Sequence, residues 1–294
     1  MFENRKSQSR DAGGPVNSGP ANPNPNPNRA LWEKGDFTRI AATMRESGEE
    51  LVNGLGVSRG MQILDLGSGD GTTALPAATL GATVLGVDIA ANLVTAGNAR
   101  AAAAGLSNLY FEEGDASDLS GIRDESFDLV VSIFGAMFAP RPFDVAREMV
   151  RVTRRAGRIV MGNWIPGDPT LVAQILKISA AYTPPPPEGF VSPVTWGVEG
   201  SVRERFEAAG IPSANISCAR ETYVFRHAGP PVELLDIFRL YYGPTMNAFE
   251  AATKTGRADA LRAELTALFE AQNQGGSNQT IIPATYLKVV VRKA

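Results

Sequence analysis

Residues 62–73 read QILDLGSGDGTT. The stretch begins as a short apolar run broken by one acid, Asp65, and ends in a turn that holds Gly67, Gly69 and Gly71. A run of that length closed by glycines predicts a buried strand. Glycines at alternate positions permit positive φ and let a ligand come up against bare backbone. Amides left free at such a turn, and at the start of the helix behind it, make a site for a polar or anionic ligand.

The next apolar run tests that reading. Residues 83–88, TVLGVD, follow a helix-length gap and end in Asp88. Ligands of open α/β sheets bind beyond the carboxyl ends of the strands, and an acid ending the second strand accepts hydrogen bonds from a ribose diol. A nucleoside is therefore the expected ligand. The dinucleotide fingerprint Gly-x-Gly-x-x-Gly requires its third glycine at position 72, which is Thr72, and this disfavours a nicotinamide-dependent oxidoreductase.

Asp65, Gly67, Gly69 and Gly71 together resemble the first motif of class I S-adenosylmethionine-dependent methyltransferases, in which an acid two residues before the first glycine belongs to the pattern. Asp88 matches that family's ribose-binding acid. Glu113-Gly114-Asp115-Ala116 is similar to the segment whose Asp lies beside the adenine amino group, and residues 127–134, FDLVVSIF, resemble the fourth strand, which ends next to the methyl donor. Four motifs in order are far more specific than one glycine loop. The resemblance spans residues 40–165 well and the remainder in outline, and it is nearest to the small-molecule branch that includes ubiquinone and menaquinone C-methyltransferases.

The resemblance implies an α/β fold: a Rossmann-like seven-stranded sheet with helices on both faces, strand seven inserted between strands five and six, and a helical cap formed by insertions after strands five and six. It implies S-adenosyl-L-methionine as cofactor, bound by Asp65, Gly67, Ser68, Gly69, Asp88, Ile89, Asp115, Ala116 and Ser132. Asp88 is expected to accept from the ribose. Asp65 is expected either to orient the turn or to meet the donor's amino group. Asp115 with Ala116 would lie at the adenine, Ile89 along the adenine or ribose, and Ser132 in a lesser contact. In-line displacement at a sulfonium needs mainly alignment of the acceptor, so no catalytic residue is assigned. His227, the single histidine, would end strand six, three strand spacings from strand four, or roughly 14 Å from the methyl site. Phe134, Gly135, Asn163 and Trp164, at the ends of strands four and five, are better placed.

Composition bounds the rest. The chain has 294 residues, 44% of them apolar, enough to bury a sizeable core, and a net charge of −3 without a basic cluster, which argues against a nucleic-acid partner. One cysteine, Cys218, forms no internal disulfide, and with a single histidine it makes no zinc site. A reducing cytoplasm is the expected setting, and no apolar segment is long enough to integrate into a membrane.

Residues 1–28, with the repeat NPNPNPN, read as a disordered tail. Leading helices and the cofactor-binding core occupy 29–164, the cap insertions 165–200 and 227–283, and the rest of the core sheet 201–226 and 284–294. The leading segment, 30–55, carries Trp32 and Phe37, which either close over the ligand or anchor the helix. Further expected elements are a helix after the glycine turn that starts late or bends at Pro76, a helix over 142–154 with Arg147, Arg151 and Arg154 on one solvated face, and helical stretches over 170–182, 232–249 and 258–272. Tyr182, Phe190, Trp196, Phe238, Tyr241, Tyr242 and Phe249 lie in the insertions, and such a set suits an apolar or aromatic small-molecule acceptor. The reading is thus a small-molecule methyltransferase, with a non-catalytic S-adenosylmethionine- or S-adenosylhomocysteine-binding protein as the alternative.

Overall fold

The structure, a computed structural model, describes residue 26 and residues 28–294. The expected tail, 1–28, therefore lies outside the described residues except for Asn26 and Asn28.

The described residues form one sheet of seven strands: β1 (Gln62–Leu66), β2 (Thr83–Asp88), β3 (Leu109–Glu113), β4 (Phe127–Ile133), β5 (Thr153–Trp164), β6 (Ile216–His227) and β7 (Thr280–Arg292). Their spatial order is β3-β2-β1-β4-β5-β7-β6. The first five run parallel, and β7 enters antiparallel between β5 and β6. Reversal of order at β1 and β4 opens a crevice beyond their carboxyl ends, where the chain leaves for opposite sides of the sheet.

The central strands are apolar on both faces because helices cover both. Ile63, Leu129, Val131 and Val160 pack with α3 (Arg45–Gly54), α4 (Ala74–Thr79) and α5 (Ala91–Ala103); Leu64, Val130, Ile159 and Met161 face α6 (Pro142–Val152) and the cap. Pro76 is the third residue of α4. In the first turn a missing amide breaks no helical hydrogen bond, so the helix needs no bend.

The leading segment holds three helices, α1 (Arg29–Glu33), α2 (Phe37–Ala42) and α3. The first break falls at Gly35 and Asp36; the Asp36 side chain accepts from the Thr38 amide and caps α2. Helical insertions follow β5, with α7 (Leu171–Ala180) and α8 (Glu199–Ala208), and β6, with α9 (Pro231–Tyr241), α10 (Gly243–Lys254) and α11 (Ala258–Gln272). The stretch expected as one helix over 232–249 is two. Pro244 has no amide to donate back to the Leu240 carbonyl, so it is tolerated in the first turn of a new helix and not inside a continuing one, and a side chain at Gly243 would meet the Leu31 carbonyl at 2.4 Å. Tyr242 is left extended at the junction, with φ −96° and ψ 108°.

Helix α6 ends at Val152, two residues earlier than expected. Arg147 and Arg151 pair with Asp144, Glu148 and Asp124, while Arg154, already in β5, pairs with Asp128. No helix among the described residues is long and apolar enough to cross a membrane.

Candidate functional site

The cleft beyond β1 and β4 starts from backbone. Gly67 and Gly69 have φ of +69° and +55°, and the amides of Gly67 and Ser68 both donate to the Val87 carbonyl, at 2.7 and 3.1 Å, which folds the turn against the end of β2. A Cβ on Gly67 would lie 2.6 Å from the Gly135 Cα, and one on Gly135 would lie 2.4 Å from the Gly67 carbonyl oxygen. The turns after β1 and β4 thus touch through bare backbone. At Gly69 the corresponding space is open, with nothing nearer than the Phe37 ring at 3.9 Å.

Two acids frame this turn. Asp65, 2% exposed, lies on the cleft wall with Oδ2 unpartnered. Burial, reinforced by the charge of Asp88 and opposed by the Ala74 amide, pushes its carboxyl up to about 8. Asp88 accepts from the Gly69 amide at 2.8 Å and the Ala90 amide at 2.9 Å. Burial raises it above the ordinary carboxylate range, against those amides and that of Ile89. One amide bond per oxygen leaves a further acceptor position on each.

A third acid, Asp70, was not singled out in the sequence. It is 1% exposed and pairs with Arg45 from α3 through both oxygens, and with Arg100 from α5 at 3.6 Å. Arg45 also donates to the Thr72 hydroxyl at 2.7 Å. The residue that replaces the third glycine is therefore part of a polar clamp on the turn. An acid between glycines looks like any turn acid in a sequence, and its partners lie 25 and 30 residues away.

Ile89, Gly114 and Ala116 line the cleft, as do Asp65, Gly67, Ser68, Gly69 and Asp88. Asp115 and Ser132 are not among the lining residues. The Asp115 carboxylate accepts from the Ser117 amide at 2.8 Å and shapes its own turn. The Ser132 hydroxyl donates to the Leu66 carbonyl at 2.5 Å and accepts from the Ala136 amide at 2.9 Å, so it clasps β1 to the turn after β4. His227 sits at the far end of β6 beside Glu233, at 3.2 Å. Asn163 is fully buried behind the sheet end, without a hydrogen-bond partner.

Aromatic rings divide the cleft from a second space. Phe134 ends β4 in a left-handed conformation, φ +60°, and its ring stacks on Trp164 with centroids 3.7 Å apart. Backbone strain of this kind costs about 1–3 kcal/mol and gathers at functional sites. Phe134, Phe138, Trp32, Phe37 and Met44 line the cleft on one side and an apolar chamber on the other. The empty space is about 930 Å³ at the cleft and about 330 Å³ at the chamber, each figure including space open to solvent. The leading segment covers the cleft: Trp32 packs edge-on to Phe138 at 4.8 Å, and the Asn28 side chain donates to the Phe138 carbonyl. Tyr223 of β6, 1% exposed, also lines the cleft, its hydroxyl lying beside Gly48 and the Thr72 end of the glycine turn. Burial and the Asp65 carboxylate hold its phenol well above the ordinary tyrosine range. Neither Tyr223 nor the two asparagines at the cleft, Asn26 and Asn28, carried a sequence signal beyond their neighbours' composition.

Against known proteins, residues 64–161 match the family model described as a methyltransferase domain. An uncharacterized protein of Mycobacterium tuberculosis is 36% identical over 242 residues, 82% of this chain and 86% of the relative. Nocamycin O-methyltransferase of Saccharothrix syringae is 28% identical over 251 residues, 80% of this chain and 87% of that enzyme. Among solved structures, the YcgJ protein of Bacillus subtilis superposes with a TM-score of 0.54 at 18% identity, covering 85% of this chain and all of that one.

Proposed function

We propose, for a chain that belongs to one family with the mycobacterial protein and has the class I S-adenosylmethionine-dependent methyltransferase fold, that it transfers a methyl group from S-adenosyl-L-methionine to a small, apolar, ring-bearing acceptor. The observation that carries this reading is Asp65: a buried carboxyl on the cleft wall with one oxygen unpartnered. An orphaned acceptor of that kind costs stability unless a ligand meets it, and an ammonium group does so with charge as well as hydrogen bonds.

The remaining cleft residues fit the same ligand. Asp88 retains acceptor capacity for a ribose diol. Gly67, Ser68 and Gly69 offer backbone, Ile89 and Ala116 an apolar wall for a flat base. When bound, the cofactor supplies a methyl group on a sulfonium, already activated for in-line displacement. The protein's part is alignment, exclusion of water by Trp32 and Phe37, and separation of the two ligands at the Phe134 ring. The aromatic chamber behind Phe134 suits an apolar acceptor, of which the quinones methylated by the enzymes that the sequence resembles are one kind. The O-methylation named for the Saccharothrix relative is another chemistry on a small molecule. A cytoplasmic setting fits the unpaired Cys218.

Calorimetric titration with S-adenosylmethionine, S-adenosylhomocysteine and nicotinamide dinucleotides tests the reading, repeated on Asp88→Ala. Micromolar binding of the adenosyl ligands alone, weakened at least about tenfold (about 1.4 kcal/mol) by the substitution, is the expected result. Binding of a nicotinamide dinucleotide in their place would overturn it. Turnover against an acceptor panel then separates an enzyme from a protein that only holds the cofactor.

A further inference from the structure

The chamber behind Phe134 has an unusual wall. It is drawn from five separated segments and consists of aromatic and aliphatic side chains, with no charged group and no imidazole. Its one hydroxyl belongs to Tyr242, the extended residue between α9 and α10. Tyr242 is 5% exposed and its ring is packed edge-on to Phe238 at 5.4 Å; among the described residues its hydroxyl makes no hydrogen bond, and it is not one of the sealed, unpartnered polar atoms. Helix geometry would have carried this ring onward around α9. The break imposed by Gly243 and Pro244 holds it in the chamber wall instead.

A hydroxyl set without a protein partner in an otherwise apolar wall has its donor free for what enters, and such single polar groups fix ligand orientation in apolar sites. We infer that the chamber is the site of an uncharged ring compound carrying one carbonyl or hydroxyl oxygen, and that the Tyr242 hydroxyl selects it through that oxygen. The inference rests on the methyltransferase reading for the purpose of the site, and on the chamber alone for the class of ligand. An anion is excluded by the wall: a carboxylate entering here leaves water, finds no partner of opposite sign and meets the negative faces of the rings. A ring is favoured because the walls present aromatic faces and edges, as Phe134 does toward Trp164 and Phe238 toward Phe225 at 5.8 Å, and offset or edge-on ring pairs add to burial. Burial also holds the Tyr242 phenol well above its ordinary range, so it keeps its proton and donates.

The test uses 2-naphthol and 2-methylnaphthalene, two molecules of one shape that differ in a hydroxyl against a methyl, with 2-naphthoate as the charged control. Dissociation constants are measured by saturation-transfer NMR on the full chain with saturating S-adenosylhomocysteine, for the wild type and for Tyr242→Phe. The expected result is that both neutral probes bind, that naphthoate does not, and that the substitution lowers the preference for naphthol over methylnaphthalene about tenfold, the range of one neutral hydrogen bond. A preference unchanged by Tyr242→Phe, no binding of either neutral probe, or naphthoate as the tightest of the three overturns the inference. Thermal melting and the S-adenosylhomocysteine titration of the variant show that it is folded. The same titration separates the two failures: a protein that binds the adenosyl ligand but no ring loses this inference alone, and one that binds rings through Tyr242 but no adenosyl ligand loses the cofactor reading alone.

Discussion

The cleft and the chamber share a wall yet are built in opposite ways. Away from the rings it shares with the chamber, the cleft is shaped by backbone and acids, set by one continuous stretch, residues 62–73, and by the ends of β2, β3 and β4. The chamber is side chains only, with Trp32 and Phe238 more than 200 residues apart among its contributors. The first depends on a few atoms being absent, as at Gly67 and Gly135. The second depends on many atoms being present. Backbone geometry tolerates no substitution, whereas a packed aromatic wall adjusts to conservative change at a cost below about 1.5 kcal/mol. One half is therefore fixed by chemistry common to a fold, and the other is free to follow a particular ligand.

The strongest way to break that contrast is at the contact between the two turns. Gly135→Val places branched carbon where the Gly67 carbonyl lies 2.4 Å from a mere Cβ. The turns must part, and overpacking of this kind costs about 1–3 kcal/mol or more. The expected outcome is no detectable S-adenosylhomocysteine binding by calorimetry, together with a lowered melting temperature. Retained micromolar binding would show that the cleft does not depend on this backbone contact.

A smaller effect is expected at the clamp. Arg45→Met leaves Asp70 buried with Arg100 alone. Removing one partner of a buried pair costs about 3–5 kcal/mol; here the second arginine and the partly exposed Arg45 side chain reduce the loss to about 2 kcal/mol. Denaturant unfolding measures it. Binding of neutral ring probes should stay within twofold of the wild type, because Arg45 touches the turn and not the chamber. A chamber that failed along with the clamp would show the two halves to be one cooperative unit.

The same contrast explains what could be read from the sequence. The glycine turn and the strands around it were legible because their meaning is local, and the sheet order with β7 between β5 and β6 and the helical insertions followed from the resemblance those motifs carry. Asp65, Gly67, Gly69 and Asp88 stand in one stretch or at a strand end, where position along the chain is position in space. Ser132 and Asp115 carried the same kind of signal; that the Ser132 hydroxyl is engaged by the backbone of Leu66 and Ala136, and Asp115 Oδ1 by the Ser117 amide, is visible only in three dimensions. The chamber was legible in kind alone. Of the seven insertion aromatics named from the sequence, Phe238 and Tyr242 reach it. Tyr182 bonds Glu264 at 2.5 Å beneath Arg257, Trp196 packs against Phe206 and Arg205, and Phe190 is exposed. Periodicity reports that a ring is buried and not which cavity it faces. The rings that complete the chamber come from the leading segment and from β4, β5 and β6.

The mildest prediction sharpens the comparison through pH, because only the cleft holds a carboxyl that titrates near neutrality. Asp65 has its folded value raised to about 8 from an ordinary 3.8. Between those values the folded chain holds a proton that the unfolded chain has lost, so stability falls as pH rises, by at most about 1.4 kcal/mol per pH unit for one group. The slope begins above about 4 and flattens above about 8. Asp65→Asn removes this contribution. Its stability relative to the wild type should therefore grow by about 1 kcal/mol from pH 6 to pH 7, measured by urea unfolding at each pH and read as the difference between the two proteins, which cancels the groups that do not interact with Asp65. An ammonium-bearing ligand inverts the effect, since its charge favours the ionised carboxyl. Binding of S-adenosylhomocysteine at pH 7 should accordingly release a proton, seen as a dependence of the calorimetric enthalpy on buffer, and the release should vanish in Asp65→Asn. A parallel pH dependence in both proteins would place the raised acid elsewhere and leave the orphaned Asp65 oxygen without its partner.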